Sequence, residues 1–295
     1  MNFSNTLSST SIYALYASMG TILIFSQKIA LASVLLMTAG FGFASNHIQW
    51  PGLLVLSCYT GLLALTVFIE RSDVKFIFSC FSLFLNELIS LHKIPGFNNQ
   101  MLISKEVISK NAIPYTLFIN YDKSLAGAIT LIAFGLKSST KYEQSLSSIA
   151  CTTLLMSLIT IPAITIASLA LGYVKPEFRM KRHLKKWIAT NLLLTCTAEE
   201  ALFRTQLQGN LLQNFRPQFA LLIASMLFGI AHFPGGKKYI GLASLAGLDY
   251  GMTYQLTGDI RSSILLHFLL NFVHFIGFTY PALENSIETP ASKLK

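Results

Sequence analysis

Segments near residues 28–46, 51–70, 147–173, 188–212, 217–234, 238–257 and 262–282 are each apolar over about the 17–25 residues that a helix needs to cross a bilayer. Weaker stretches of the same kind lie at 10–26 and 75–91. A backbone in hydrocarbon has no water to bond to, so a span satisfies its amides internally, as a helix does. The predicted fold is therefore all-α, a polytopic transmembrane bundle of about eight spans, eight or nine in all, the first and fourth being the least defined. Composition agrees: 53% of residues are hydrophobic and 12% charged, with a mean hydropathy of +0.55, whereas soluble domains carry about 25% charged residues.

The net charge of +9 does not point to nucleic acid, because the cations are not spread over a soluble surface. Lys175, Arg179, Lys181, Arg182, Lys185 and Lys186 crowd between two spans. Loops rich in Lys and Arg stay on the cytoplasmic side, so the loop 175–187 is predicted to be cytoplasmic. Threading onward puts Arg216 outside, Lys237 and Lys238 inside, Arg261 outside, and Lys293 and Lys295 inside. Residues 1–27 hold no Lys or Arg ahead of the apolar run, so no secretory signal is expected. The expected location is a bacterial inner membrane, as a multi-pass integral protein whose partners include membrane lipids. Cys58, Cys80, Cys151 and Cys196 are widely spaced within or beside apolar runs and read as packing residues, not as a disulfide or metal framework.

Three blocks follow: N-terminal membrane helices at 1–92, a polar connector at 93–146, and a C-terminal membrane block at 147–295. The connector mixes Pro, Asn and Lys with short apolar stretches, and an interfacial or re-entrant piece is expected at 125–136. Gly241, Gly247 and Gly251 share a helix face suited to close packing. No nucleotide-binding glycine pattern is present.

Chemistry concentrates in "TAEEALFRTQLQG", residues 197–209, where Glu199, Glu200 and Arg204 interrupt an apolar run. Each charge costs about 2.5–3.5 kcal/mol or more at the bilayer centre. Glu200 and Arg204, four apart, can pair on one helix face. Glu199 is turned about 100° away, so that pairing leaves it available for chemistry. "FGIAHFPGG" adds His232, and "LLHFLLNFVHF" adds His267, Asn271 and His274 at spacings of four and three on one face. A lone histidine or asparagine on an apolar helix also serves as packing or interhelical glue. Asp249 is a further charge inside a span, open to a functional or a pairing reading. Met226, Phe228 and Phe233 read as core. His47, His92 and His183, at span ends or in the basic loop, read as solvated.

Taken in order, Glu199-Glu200-x-x-x-Arg204, Phe228-x-x-x-His232 and His267-x-x-x-Asn271 resemble the three motifs of the CPBP (Abi) family, which includes the type II CAAX prenyl endopeptidases. The likeness is strongest over 190–280, and "IPGFNN" and "INYDKSLAGA" upstream are similar to the region before the first motif in some bacterial members. The resemblance implies an intramembrane endopeptidase acting on a peptide or membrane-protein substrate. Glu199 and His232 would activate a water, with Glu199 as general base. His267 and Asn271 would form the oxyanion hole, and Glu200 with Arg204 would hold the first motif in register. No cofactor is implied.

That chemistry is self-consistent, because a desolvated carboxylate is a more effective base and one preorganised oxyanion donor is worth about 3–4 kcal/mol. A carboxylate and two histidines are also the ligand set of a catalytic zinc site, so Glu199, His232 and His267 remain open as metal ligands. Against zinc, no HExxH-type pairing is present, and Asn271 suits an oxyanion hole. A non-enzymatic membrane immunity or transport protein, with Glu199, Asp249 and histidines as a proton relay, is the reading from another class. Transport predicts symmetric broken helices and a polar path across the bilayer, whereas the polar groups here cluster in the C-terminal third. An inactive relative that keeps the motifs as structure is a third reading.

Overall fold

The computed structural model describes residues 3–137, 144–178 and 182–286. Arg179, Lys181, Lys293 and Lys295 lie outside the described residues. The chain runs as helices α1 (Phe3–Ile24), α2 (Lys28–Ala44), α3 (Trp50–Phe68) and α4 (Ser72–Ser90), strands β1 (Gln100–Glu106) and β2 (Tyr115–Ile119), then α5 (Tyr121–Phe134) and α6 (Leu146–Ala170). A continuous helical stretch follows, comprising α7 (Leu184–Ala189), a π-helical segment (Thr190–Cys196), α8 (Thr197–Glu200), a second π-helical segment (Ala201–Gln208) and α9 (Gly209–Leu211). Last come α10 (Pro217–Ala231), α11 (Gly236–Thr257) and α12 (Ile260–Gly277). The fold is predominantly helical, and the paired strands β1 and β2 are an addition to the all-α expectation.

Four described helices are long and apolar enough to cross a membrane: Asn5–Ile24, Trp50–Phe68, Leu146–Ala170 and Ile260–Gly277. Pro217–Ala231 with Phe233–Thr257 makes a fifth only as a pair bent by 58°, where two separate spans were expected. The other expected spans fall short for physical reasons. Helix α2 has 17 residues, α4 carries Asp73, Lys75 and Glu87, and the 188–212 run is interrupted by polar groups. Large apolar side chains face outward on the spanning helices α3 and α6 and on the shorter α2, with Phe68 81%, Leu146 79% and Ile29 86% exposed. Such surfaces are stable against lipid, not against water.

Two compact units, each discontinuous in sequence, make up the chain. The first comprises residues 1–102, 118–138 and 189–210; the second comprises 103–117, 139–188 and 211–295.

Within the first unit, α5 is the central element, packed by α1, α2, α3, α4, α8 and both π-helical segments. Most of the stretch expected to be interfacial or re-entrant, 125–134, lies in this helix, with Leu125, Ala126, Ala128 and Leu131 all enclosed by protein. Small residues make this possible. A Cβ on Gly127 would meet the Ala198 Cα at 2.7 Å, so only glycine lets the α8 backbone come this close. Around Tyr59 a polar knot ties four elements together. The Tyr59 hydroxyl lies 2.6 Å from Thr130 Oγ1, Asn86 Nδ2 donates to Tyr59 at 2.8 Å and to Gln206 Oε1 at 2.6 Å, and Gln206 Nε2 donates to Ser82 at 3.1 Å. Buried polar groups satisfied in this way specify a single packing.

Within the second unit, α6, α11 and α12 pack mutually and α10 lies along α11. Of the predicted close-packing face, Gly247 is tightly packed, since a Cβ there would stand 3.0 Å from Phe228 Cδ1, whereas a Cβ on Gly241 would meet nothing within 4 Å, so the close contact does not extend to that position. Asp259 caps α12 by accepting from the Arg261 amide at 3.0 Å, which fixes the start of the helix that carries His267. Trp187, fully buried, stacks on Phe275 at 4.3 Å and donates its indole N–H to Tyr280 at 3.1 Å.

Candidate functional site

The carboxylates belong to the first unit and the imidazoles to the second. Glu199 and Glu200 form the end of α8, with π-helical backbone on either side. Departures of this kind from regular α-helix occur frequently at functional sites. The wider winding is visible in side-chain bonds that reach back five residues: Thr197 Oγ1 donates to Leu192 O at 2.9 Å, and Cys196 Sγ to Asn191 Oδ1 at 3.3 Å.

Glu200 and Arg204 pair as expected. Arg204 Nε donates to Glu200 Oε2 at 3.0 Å, and both side chains are fully buried.

Glu199 is not left unpaired, which corrects the sequence reading. Lys123 Nζ stands 3.2 Å from Glu199 Oε1, with 12% and 20% of the two side chains exposed. Lys123 is held by the first turn of α5. Its neighbour Asp122, almost fully buried, accepts from His92 Nδ1 at 2.6 Å, Asn99 Nδ2 at 2.9 Å and the Lys123 amide at 2.8 Å. Asn99 Oδ1 in turn accepts from the Tyr121 amide at 2.8 Å. Lys123 and Gly127 are four apart on one face of α5. One addresses Glu199 while the other accommodates Ala198 beside it.

In the second unit, His232 terminates α10. Its Nδ1 lies 2.7 Å from Phe228 O, and a carbonyl only accepts, so Nδ1 is the donor in that bond. His267, 4% exposed, stacks on Tyr250 at 4.5 Å with the rings 17° from parallel, and meets the Phe228 edge at 5.8 Å. His232, His267, Asn271 and His274 all line one cavity of about 70 Å³, walled by Phe228 and Tyr250. A space of this size admits more than one water. The spacing argument that put His267, Asn271 and His274 on one face is thus observed. Tyr173 also lines the cavity, and burial followed by the nearby Tyr280 phenol pushes its hydroxyl to higher pKa, so it is a neutral donor.

Asp249 is half-buried on α11 and does not line this cavity. Phe228 is both core and cavity wall, whereas Met226 and Phe233 are exposed at 52% and 61%. His47 is not solvated: it is 7% exposed, stacked on Tyr121 at 4.7 Å, with Nε2 3.0 Å from Ser8 Oγ. His183 pairs with Glu106 at 2.7 Å. Of the four free cysteines only Cys196 is buried. Among the described residues no three His, Cys, Asp or Glu side chains form a metal-holding group. Sequence reasoning missed Lys123 and Tyr250. The Asp122-Lys123 charge pair that opens an otherwise apolar helix was the available signal for Lys123, and nothing in the pattern distinguished Tyr250 from other aromatics.

Residues 182–273 match the family model described as Type II CAAX prenyl endopeptidase Rce1-like. The matched segment spans all three motifs and agrees with the resemblance that they carry. Neither the curated proteins nor the solved structures give a match.

Proposed function

We propose that this membrane protein, Rce1-like over its motif-bearing segment, hydrolyses a peptide bond within or near the bilayer by direct attack of water. Glu199 takes a proton from the water as its oxygen bonds to the scissile carbonyl carbon, and the imidazole of His232 helps to hold and orient that water. His267 and Asn271 donate to the oxyanion of the tetrahedral intermediate. Collapse breaks the C–N bond, and the proton held by Glu199 goes to the leaving amine. No covalent acyl-enzyme and no metal is needed. The substrate is a peptide or membrane-protein segment, and the basic loop 175–187 faces the cytoplasm.

The observation that carries this reading is the lining of one cavity by His232, His267 and Asn271, the second and third motifs in a segment that matches a protease family. Asn271 beside His267 supplies an amide donor of the kind that an oxyanion hole uses. Phe228 and Tyr250 fix both rings and limit water, which strengthens each dipole aimed into the cavity. Lys123 is assigned as a positioning residue for the Glu199 carboxylate.

The test compares membrane proteomes of cells that express the wild-type chain or Glu199→Gln, with new peptide termini as the readout. Termini that depend on Glu199 and are lost equally in His232→Ala support the assignment. Undiminished cleavage by Glu199→Gln overturns it. Cleavage should persist in EDTA and phenanthroline. Loss with chelator and recovery with added Zn²⁺ would instead make Glu199, His232 and His267 zinc ligands.

A further inference from the structure

The first unit contains a second and larger cavity, a groove of about 580 Å³ between α2, α3 and α5. Its volume falls within the roughly 300–1,000 Å³ of small-molecule sites. Leu35, Leu56, Leu63 and Ile129 are typical of its aliphatic lining, and Lys28 is its one charged lining residue. On α3 the lining runs from Leu53 to Phe68, about 22 Å at 1.5 Å per residue. That exceeds the roughly 15 Å depth of one leaflet, half of a hydrocarbon core of about 30 Å.

The chemistry at the end of the groove identifies what fits. Lys28 is the first residue of α2 and lines the groove together with Phe68, the last residue of the spanning helix α3. It therefore sits at the level where lipid headgroups lie. Its ammonium donates to Ala133 O at 2.8 Å, which fixes it across the end of the groove, and an ammonium has two further donors to offer. Long apolar walls ending in a fixed cation complement a molecule with a hydrocarbon chain and an anion at its end.

We propose that the groove between α2, α3 and α5 is a binding site for an anionic phospholipid, one acyl chain lying along α3 and the phosphoryl headgroup on Lys28. A zwitterionic lipid offers the same chain but carries its own cation beside the phosphate. A prenylated peptide offers a chain that ends in an uncharged thioether. Neither complements Lys28 as well.

The test is native mass spectrometry of the full delipidated chain in detergent, titrated with phosphatidylglycerol or phosphatidylcholine of identical acyl chains. One phosphatidylglycerol per chain is expected, bound at least about fivefold more tightly than phosphatidylcholine. A fivefold ratio is about 1 kcal/mol. Lys28→Gln should bring the ratio to unity, Lys28→Arg should keep it, and Ala64→Phe, which fills the groove, should weaken both lipids. Lys28 is exposed, so its variants are expected to fold, and an unchanged thermal midpoint without lipid verifies this. Equal binding of the two lipids to the wild type, or a preference that persists in Lys28→Gln, would mean non-specific boundary lipid and overturn the proposal. So would one-for-one displacement of the lipid by a farnesylated peptide, which would give the groove to substrate.

Discussion

Deleting the Arg204 guanidinium removes the counter-charge that the Glu200–Arg204 bond supplies to a carboxylate with no exposed surface. Breaking a buried pair from one side costs about 3–5 kcal/mol, because the stranded charge stays desolvated or must take up a proton. At about 2–4 °C per kcal/mol for a domain of 150–250 residues, Arg204→Met should lower the thermal midpoint in detergent by roughly 6–20 °C. Glu200→Gln should cost a comparable amount, since it removes the buried carboxylate that pairs with the guanidinium. The double variant leaves no buried charge at either position, and its midpoint should return most of the way to wild type. Purified wild type, both single variants and the double variant are melted at one pH and one detergent concentration. The coupling energy should reach at least about 2 kcal/mol, the upper part of the range for residues in contact. Additive single effects, or a double variant worse than either single, would refute the argument that mutual neutralisation is what makes these charges tolerable.

Lys123→Met should lower kcat about tenfold, or roughly 1.4 kcal/mol of barrier, with little change in thermal midpoint, while Lys123→Arg retains most activity; equal activity in all three removes the positioning role. Gly127→Val should destabilise the chain by about 2 kcal/mol or more, because its side chain would overlap the Ala198 backbone, and an unchanged midpoint would show that α5 and α8 are further apart than described. Burial lowers the pKa of His47 below its ordinary 6.5, an effect that exceeds the opposing hydrogen bonds to Asn98 and Ser8. The unfolded chain then binds the proton more readily than the folded one, so stability is complete above the unfolded value and declines as pH falls through about 6.5. His47→Gln should flatten the fall in thermal midpoint between pH 7.5 and 5.5, and an unaltered slope would assign it to other groups.

The membrane character, the helical class, the Glu200–Arg204 pair and the shared cavity of His232, His267 and Asn271 were all legible, for one reason. Each depends on local periodicity or on composition, and a helix repeats its geometry every few residues. The 188–212 segment shows where that reasoning stops. Its residues are apolar enough to suggest a plain span, yet the backbone winds as π-helix on both sides of Glu199 and Glu200. A π-turn replaces one i→i−4 bond with an i→i−5 bond and is stabilised by what packs around it, so a propensity summed along the chain does not register it.

Lys123 illustrates the complementary limit. Seventy-six residues separate it from Glu199, and no periodic pattern spans such a distance. What brings them together is a chain of local causes. Asn99 and His92 anchor Asp122, Asp122 anchors the first turn of α5, and Gly127 one turn later lets α8 approach closely enough for the ammonium to reach the carboxylate. Each cause is individually visible in the sequence as an unremarkable polar or small residue in a connector, and only their conjunction has meaning. The same logic explains why Glu199 tolerates its setting. A carboxylate that keeps 20% of its side-chain surface exposed and has a lysine partner is less costly than an isolated one. Glu200, wholly enclosed, needs its arginine. Two adjacent glutamates thus have distinct environments, one sealed into a buried pair and the other left partly accessible beside a cation.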